Sequence, residues 1–118
     1  CSSAPSEILA LVGLRAHDVI VGRHRARIEA NLDALRAFLD RNPGLFSMVE
    51  PRAGTVCLLQ LHEGSASDLS RRAVDEAGIL LVPSTLFDFG DRHLRIGLGR
   101  SDLPSVLARF EAWLNEPG

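Results

Sequence analysis

The sequence predicts one α/β domain of the α+β type, with a long N-terminal helix and a three- to four-stranded mixed or antiparallel sheet packed on helices. Segments whose apolar residues recur three and four apart alternate with short apolar runs bounded by glycine and proline. The connections between those runs are of hairpin length. A chain of 118 residues that is 46% hydrophobic can bury roughly two-thirds of the surface its unfolded form exposes, enough for one ordinary core.

Ser3 or Ser6 can cap a first helix running from about Ser6, whose Ile8, Leu11, Val12 and Leu14 fit a helical face better than an alternating strand. Val21, Ile28, Leu32, Leu35 and Leu39 then form a helical stripe, opposite a charged face and ended by Asn42, Pro43 and Gly44. The two helices are expected to join, with a bend between Gly13 and Asp18. Leu45 to Val49 and Thr55 to Leu61 read as two strands of a hairpin around a tight connection. Ser65, with Asp68 three residues on, resembles a capping box for a helix to about Ala77, and Gly78 stops it. Ile79 to Val82 reads as a strand closed by Pro83, residues 84–91 as a loop, and His93 to Gly99 as a further strand. Ser101 or Asp102 caps a last helix with the stripe Leu103, Val106, Leu107, Phe110, Trp113 and Leu114, ending at Pro117 and Gly118.

A formal net charge of −2 gives no excess of positive charge for a nucleic-acid backbone or an anionic membrane. All 13 basic residues are arginine, so the chain has no lysine. Cys1 and Cys57 have neither disulfide-framework nor zinc spacing, which makes a reducing cytoplasm the default. No apolar run approaches the roughly 18 residues of a spanning helix. The chain opens at Cys1 without a methionine and is expected to be one domain, residues 1–118, of a larger enzyme. A mature lipoprotein is the lesser alternative.

The segment from His93 to Gly99 carries the most chemistry. Period-two alternation puts Leu94, Ile96 and Leu98 on one face and His93, Arg95, Gly97 and Gly99 on the other. The glycines leave room beside Arg95 for a ligand or another backbone. A strand-borne arginine matches a carboxylate with two parallel hydrogen bonds, as amino-acid or keto-acid recognition requires. From spacing alone, the reading that Arg95 pairs with a structural acid such as Asp88 or Asp91, or faces solvent, comes first. The run from Arg23 to Arg27 reads as a solvated helix face, because acids follow it and no aromatic interleaves. His17 and His24 lack further metal ligands. His93 reads as an ordinary polar position and Cys57 as a buried small hydrophobe. Phe87 and Phe89 suit packing and pocket lining equally.

The segment LLVPSTLFDFGDRHLRIGLGR, Leu80 to Arg100, resembles the part of fold-type I pyridoxal-phosphate enzymes in which a proline-led loop precedes an arginine-bearing strand. EPRAGTV, Glu50 to Val56, is similar to the turn into that family's small-domain strand, and Cys1 to Leu14 resembles the start of its interdomain helix. The order of these parts matches the C-terminal small domain of a class I/II-like aminotransferase across essentially the whole chain. The resemblance implies that Arg95 binds the substrate α-carboxylate and that Gly54 lies in the turn facing the substrate side chain. Ser84 stands where the family often has glycine. The family's cofactor, pyridoxal 5′-phosphate, is held as a Schiff base by a lysine, which this chain lacks. The resemblance therefore assigns no catalytic, cofactor-binding or metal residue here. It implies an amino-acid or 2-oxo-acid substrate, a homodimeric complete enzyme and an inactive isolated fragment. Three alternatives remain: a same-scaffold synthase or lyase that does not transaminate, a free-standing amino-acid-binding regulatory module, and a purely structural dimerisation domain.

Overall fold

The computed structural model describes residues 3–116; Cys1, Ser2 and the expected stop at Pro117 and Gly118 lie outside them. Helix α1 spans Ala4–Arg15, earlier than the expected start near Ser6, because Ser3 is the cap and accepts from the Ser6 amide. Pro5 suits that first turn, where its missing N–H is not needed. Helix α2 spans His17–Arg41. The Ala16 amide donates to Val12 and the Ala16 carbonyl accepts from Ile20, both at 3.0 Å, so α1 and α2 are one long helix bent at Ala16. At roughly 1.5 Å per residue it accounts for the molecule's 55 Å long axis.

Helix α1 buries no residue, and its stripe continues exposed through Val19, Ile20 and Val21. Val21 was expected against the core, but core contact begins only at Ile28, because the first turns of α2 project past it. The buried positions of α2 are Asn31, Leu35 and Phe38.

Strand β1, Phe46–Met48, pairs antiparallel with β2, Val56–Leu61, placing Phe46 opposite Leu61. The hairpin forms, but its connection, residues 49–55, is longer than the tight turn expected. It is tied back to α2 by the Arg36–Glu50 ion pair, and Gly54 turns it at φ +92°, where a side chain would be strained.

Helix α3, Ala66–Ala77, is capped by Ser65, whose Oγ accepts from the Asp68 amide at 3.0 Å. The Asp68 carboxylate turns instead to Arg71 at 2.6 Å. Gly78 ends α3 in the left-handed region, and the Ile79 amide donates back to Ala73. The strand expected over Ile79 to Val82 is therefore only Val82–Pro83, here β3. Ile79 is committed to the helix end, and the Leu81 carbonyl accepts from Ser70 Oγ at 2.6 Å, so neither joins the ladder. The expected loop contains a 3-10 turn, Ser84–Phe87.

Strand β4, His93–Gly97, sits between β2 and β3, giving a fully antiparallel order β1-β2-β4-β3. It stops short of the expected Gly99. Helix α4, Leu103–Leu114, begins after Asp102, whose carboxylate caps nothing because Arg100 holds it at 2.6 Å. The core lies between one sheet face and α2, α3 and α4. Phe38, Phe46 and Phe110 meet there with ring centroids 5.8 to 6.1 Å apart, in the range of favourable tilted contact.

Candidate functional site

Sheet register builds the site. Leu94, Ile96 and Leu98 are buried, and His93, Arg95 and Gly97 point to the uncovered face. Across the ladder Arg95 lies opposite Leu58 on β2 and Val82 on β3, both half-buried. Gly97 lies opposite Val56, and His93 opposite Gln60. The face therefore has an arginine between two aliphatic neighbours, a bare glycine position to one side and a polar row to the other. A Cβ added at Gly97 or Gly99 would meet nothing within 4 Å, so the ground beside Arg95 is open.

Arg95 makes no hydrogen bond or ion pair with a described residue. The structural acids that might have held it are not its partners. Asp91 is committed to the N-terminus of α3, accepting from Ser65 Oγ at 2.6 Å and from the Ser67 amide and Oγ at 2.8 and 2.7 Å. These bonds, the Ser65 hydroxyl foremost, hold the Asp91 carboxyl below its ordinary value. Asp88 takes the left-handed conformation at φ 54°.

Ser84, where the family often has glycine, is fully buried; it donates to the Gly90 carbonyl at 2.7 Å and accepts from the His93 amide at 3.1 Å. One hydroxyl thus pins both ends of the loop leading into β4. The Phe89 ring packs on His93 at 4.9 Å, and His93 Nδ1 is buried without a partner. Phe87 and Phe89 remain 39% and 54% exposed. Cys57 is buried, and burial raises its thiol to about 11, so it stays protonated at neutral pH. His17 bonds its neighbour Asp18 at 3.0 Å. Among the described residues no group of three or more His, Cys, Asp or Glu converges, and no helix is long and apolar enough to cross a membrane.

Two hollows border the residues expected to contact substrate. Arg95, Ile96 and Gly97 border one of about 340 Å³ beside α4. Gly54 borders another of about 610 Å³ between α2 and the 49–55 connection. The two residues expected to contact substrate are thus not in one hollow. The buried Asn31 was not anticipated. Its Nδ2 donates to the carbonyls of Leu98 and Arg100 at 2.7 and 2.6 Å, fixing the end of β4 to α2. A polar residue on an apolar helical stripe was the available signal.

The fold is thus an α+β domain whose strand β4 carries an exposed arginine on the uncovered sheet face. The sequence pattern of the family described as aminotransferase class I and II matches residues 1–108, and the chain belongs to that family. A PLP-dependent aminotransferase from Streptococcus suis 89-1591 superposes with TM-score 0.82 at 23% identity, over 97% of this chain and 30% of that one. The PLP-dependent cyclase OrfR gives 0.84 at 22%, over 96% and 32%. LysN, an α-aminoadipate aminotransferase from Thermus thermophilus, gives 0.72 at 24%, over 90% and 29%. At these identities the likeness is one of fold. Comparison with curated proteins gives no match. The chain spans about a third of the length of these structures.

Pyridoxal phosphate is the cofactor of this family. The residues present do not fit the role of its holder, since a chain without lysine cannot supply the covalent amine.

Proposed function

We propose that this chain is the C-terminal small domain of a PLP-dependent aminotransferase, in which Arg95 binds the substrate α-carboxylate as the domain closes over the active site. One observation carries the reading. Arg95 stands on the central strand of an otherwise packed domain with its planar fork unpartnered, between Leu58 and Val82 and beside bare glycine. Aliphatic neighbours limit competing water and strengthen a bidentate guanidinium–carboxylate pair. Ser84 and Asn31 hold the two ends of β4, so the fork has a fixed base, which orientation requires.

The lysine and the other cofactor contacts would come from a separate large domain. The exposed apolar side of α1 and early α2 supports this as the hinge-side surface meeting that domain. The same reading includes an amino-acid or 2-oxo-acid substrate, a homodimeric complete enzyme in the cytoplasm and no activity from these 118 residues alone. Arg95→Ala in the complete enzyme tests it. Removing one partner of a desolvated charge pair costs about 2 to 5 kcal/mol, or on the order of 30-fold to several thousand-fold in kcat/KM, with cofactor absorbance intact. Unchanged kinetics would sink the assignment. The likeness to a cyclase supports a second reading, other PLP chemistry on the same scaffold. Product analysis with a labelled amino donor separates the two.

A further inference from the structure

Arg95 is held unevenly by its neighbouring strands. On one side β2 accompanies β4 to its end, with Val56 opposite Gly97 and the Leu98 amide donating to the Thr55 carbonyl at 2.7 Å. On the other side β3 reaches no further along β4 than Val82, opposite Arg95 itself. The residues that follow Arg95 therefore have a ladder partner on one side only, and Gly97 and Gly99 are among them. Glycine has the widest backbone freedom, so this stretch loses the most entropy on being ordered.

Helix α2 supplies the restraint that β3 does not. Asn31, 3% exposed, donates from Nδ2 to the Leu98 carbonyl at 2.7 Å and to the Arg100 carbonyl at 2.6 Å. An amide nitrogen has two hydrogens, and here each has its own acceptor. The two bonds bracket Gly99 and orient the chain before and after it. Leu35 and Phe38, in the following turns of α2, are fully buried in the core, so the donor stands on a rigid base. A tilt of about 10 to 20° is enough to spoil a bidentate contact, and Arg95 lies only three residues before the first anchored carbonyl.

We propose that Asn31 is a positioning residue for the reaction: by fastening the half-paired, glycine-bearing end of β4 to α2, it sets the direction in which Arg95 presents its guanidinium to the substrate α-carboxylate. The inference rests on the reading of Arg95 as the α-carboxylate site. Asn31 is buried against the backbone at the end of β4, whereas Arg95 points to the uncovered face. Its effect on substrate passes through the strand, without contact.

The test measures single-turnover rates of the complete, PLP-loaded enzyme with an amino acid and with the matching primary amine that lacks the α-carboxylate. Wild type, Asn31→Ala, Arg95→Ala and the double variant are compared, each rate taken per cofactor-loaded site so that a loss of folded protein divides out. Asn31→Ala should slow the amino acid by on the order of 10-fold, as misplacement of an orienting group does, and the amine by less than about 2-fold. On the Arg95→Ala background the same change should slow neither substrate, since no guanidinium is left to aim. A residue that only supports the fold would change both substrates alike, with or without Arg95. Asn31→Ser, which keeps a hydroxyl donor at that place on the helix, repeats the comparison at a smaller cost in folding. Equal slowing of amine and amino acid by these substitutions, or an amino-acid rate within about 2-fold of wild type, overturns the positioning role; a selective Arg95→Ala then leaves the α-carboxylate reading standing. If Arg95→Ala itself slows both substrates alike, the underlying reading fails.

Discussion

Replacement of Asn31 by alanine exposes how firmly the end of β4 is anchored. Asn31 is 3% exposed, and its one amide group donates to two carbonyls, those of Leu98 and Arg100. Leu98 is fully buried, so water cannot readily replace the lost donor there, and an unsatisfied buried acceptor costs about 1 to 3 kcal/mol. Arg100 is exposed and its carbonyl can turn to solvent at a smaller cost. With the small void left by the truncated side chain, the sum is about 2 to 4 kcal/mol. At a urea m-value of about 2 kcal/mol/M, the unfolding midpoint of the chain falls by about 1 to 2 M. Circular dichroism during urea titration measures it, with an unchanged slope showing that two-state unfolding persists. A midpoint shift equivalent to less than about 0.5 kcal/mol, as at an ordinary surface site, would refute the claim that Asn31 fastens β4 to α2.

Ser84→Ala removes the hydroxyl joining the Gly90 carbonyl to the His93 amide and should cost about 1 to 3 kcal/mol, with faster amide exchange at His93; undiminished protection there would contradict it. Asp91 titrates below its ordinary value when folded, so its stabilising contribution is present above the unfolded pKa of about 3.9 and is lost as pH falls through the lower folded value. Asp91→Asn should therefore flatten the acid limb of stability against pH below about pH 4, and an unaltered limb would show that the carboxylate does not cap α3.

Much of this architecture was legible because β4 advertises itself. Leu94, Ile96 and Leu98 alternate with polar or absent side chains, and the period survives unchanged as burial. The stripe of α4 and the Ser65 and Gly78 ends of α3 were equally readable, since capping is local. Strand β3 was not, because an apolar run cannot show that Ser70, eleven residues earlier, takes the Leu81 carbonyl. The same limit hid Asp91 as the second cap of α3 and Asn31 as an anchor, whose partners lie 24 to 69 residues away. At the candidate site, alternation placed Arg95 on an open face. Only three-dimensional register showed Leu58 and Val82 beside it.

The carboxylate role of Arg95 is tested most directly by a double-perturbation cycle on the complete enzyme. Single-turnover rates are measured for wild type and Arg95→Ala with an amino acid and with the matching primary amine that lacks the α-carboxylate. A guanidinium that touches the carboxylate predicts that the substitution slows the amino acid by on the order of 30-fold or more and the amine hardly at all, a coupling of about 2 kcal/mol or more. Equal slowing of both substrates would mean that Arg95 supports the structure without touching the carboxylate.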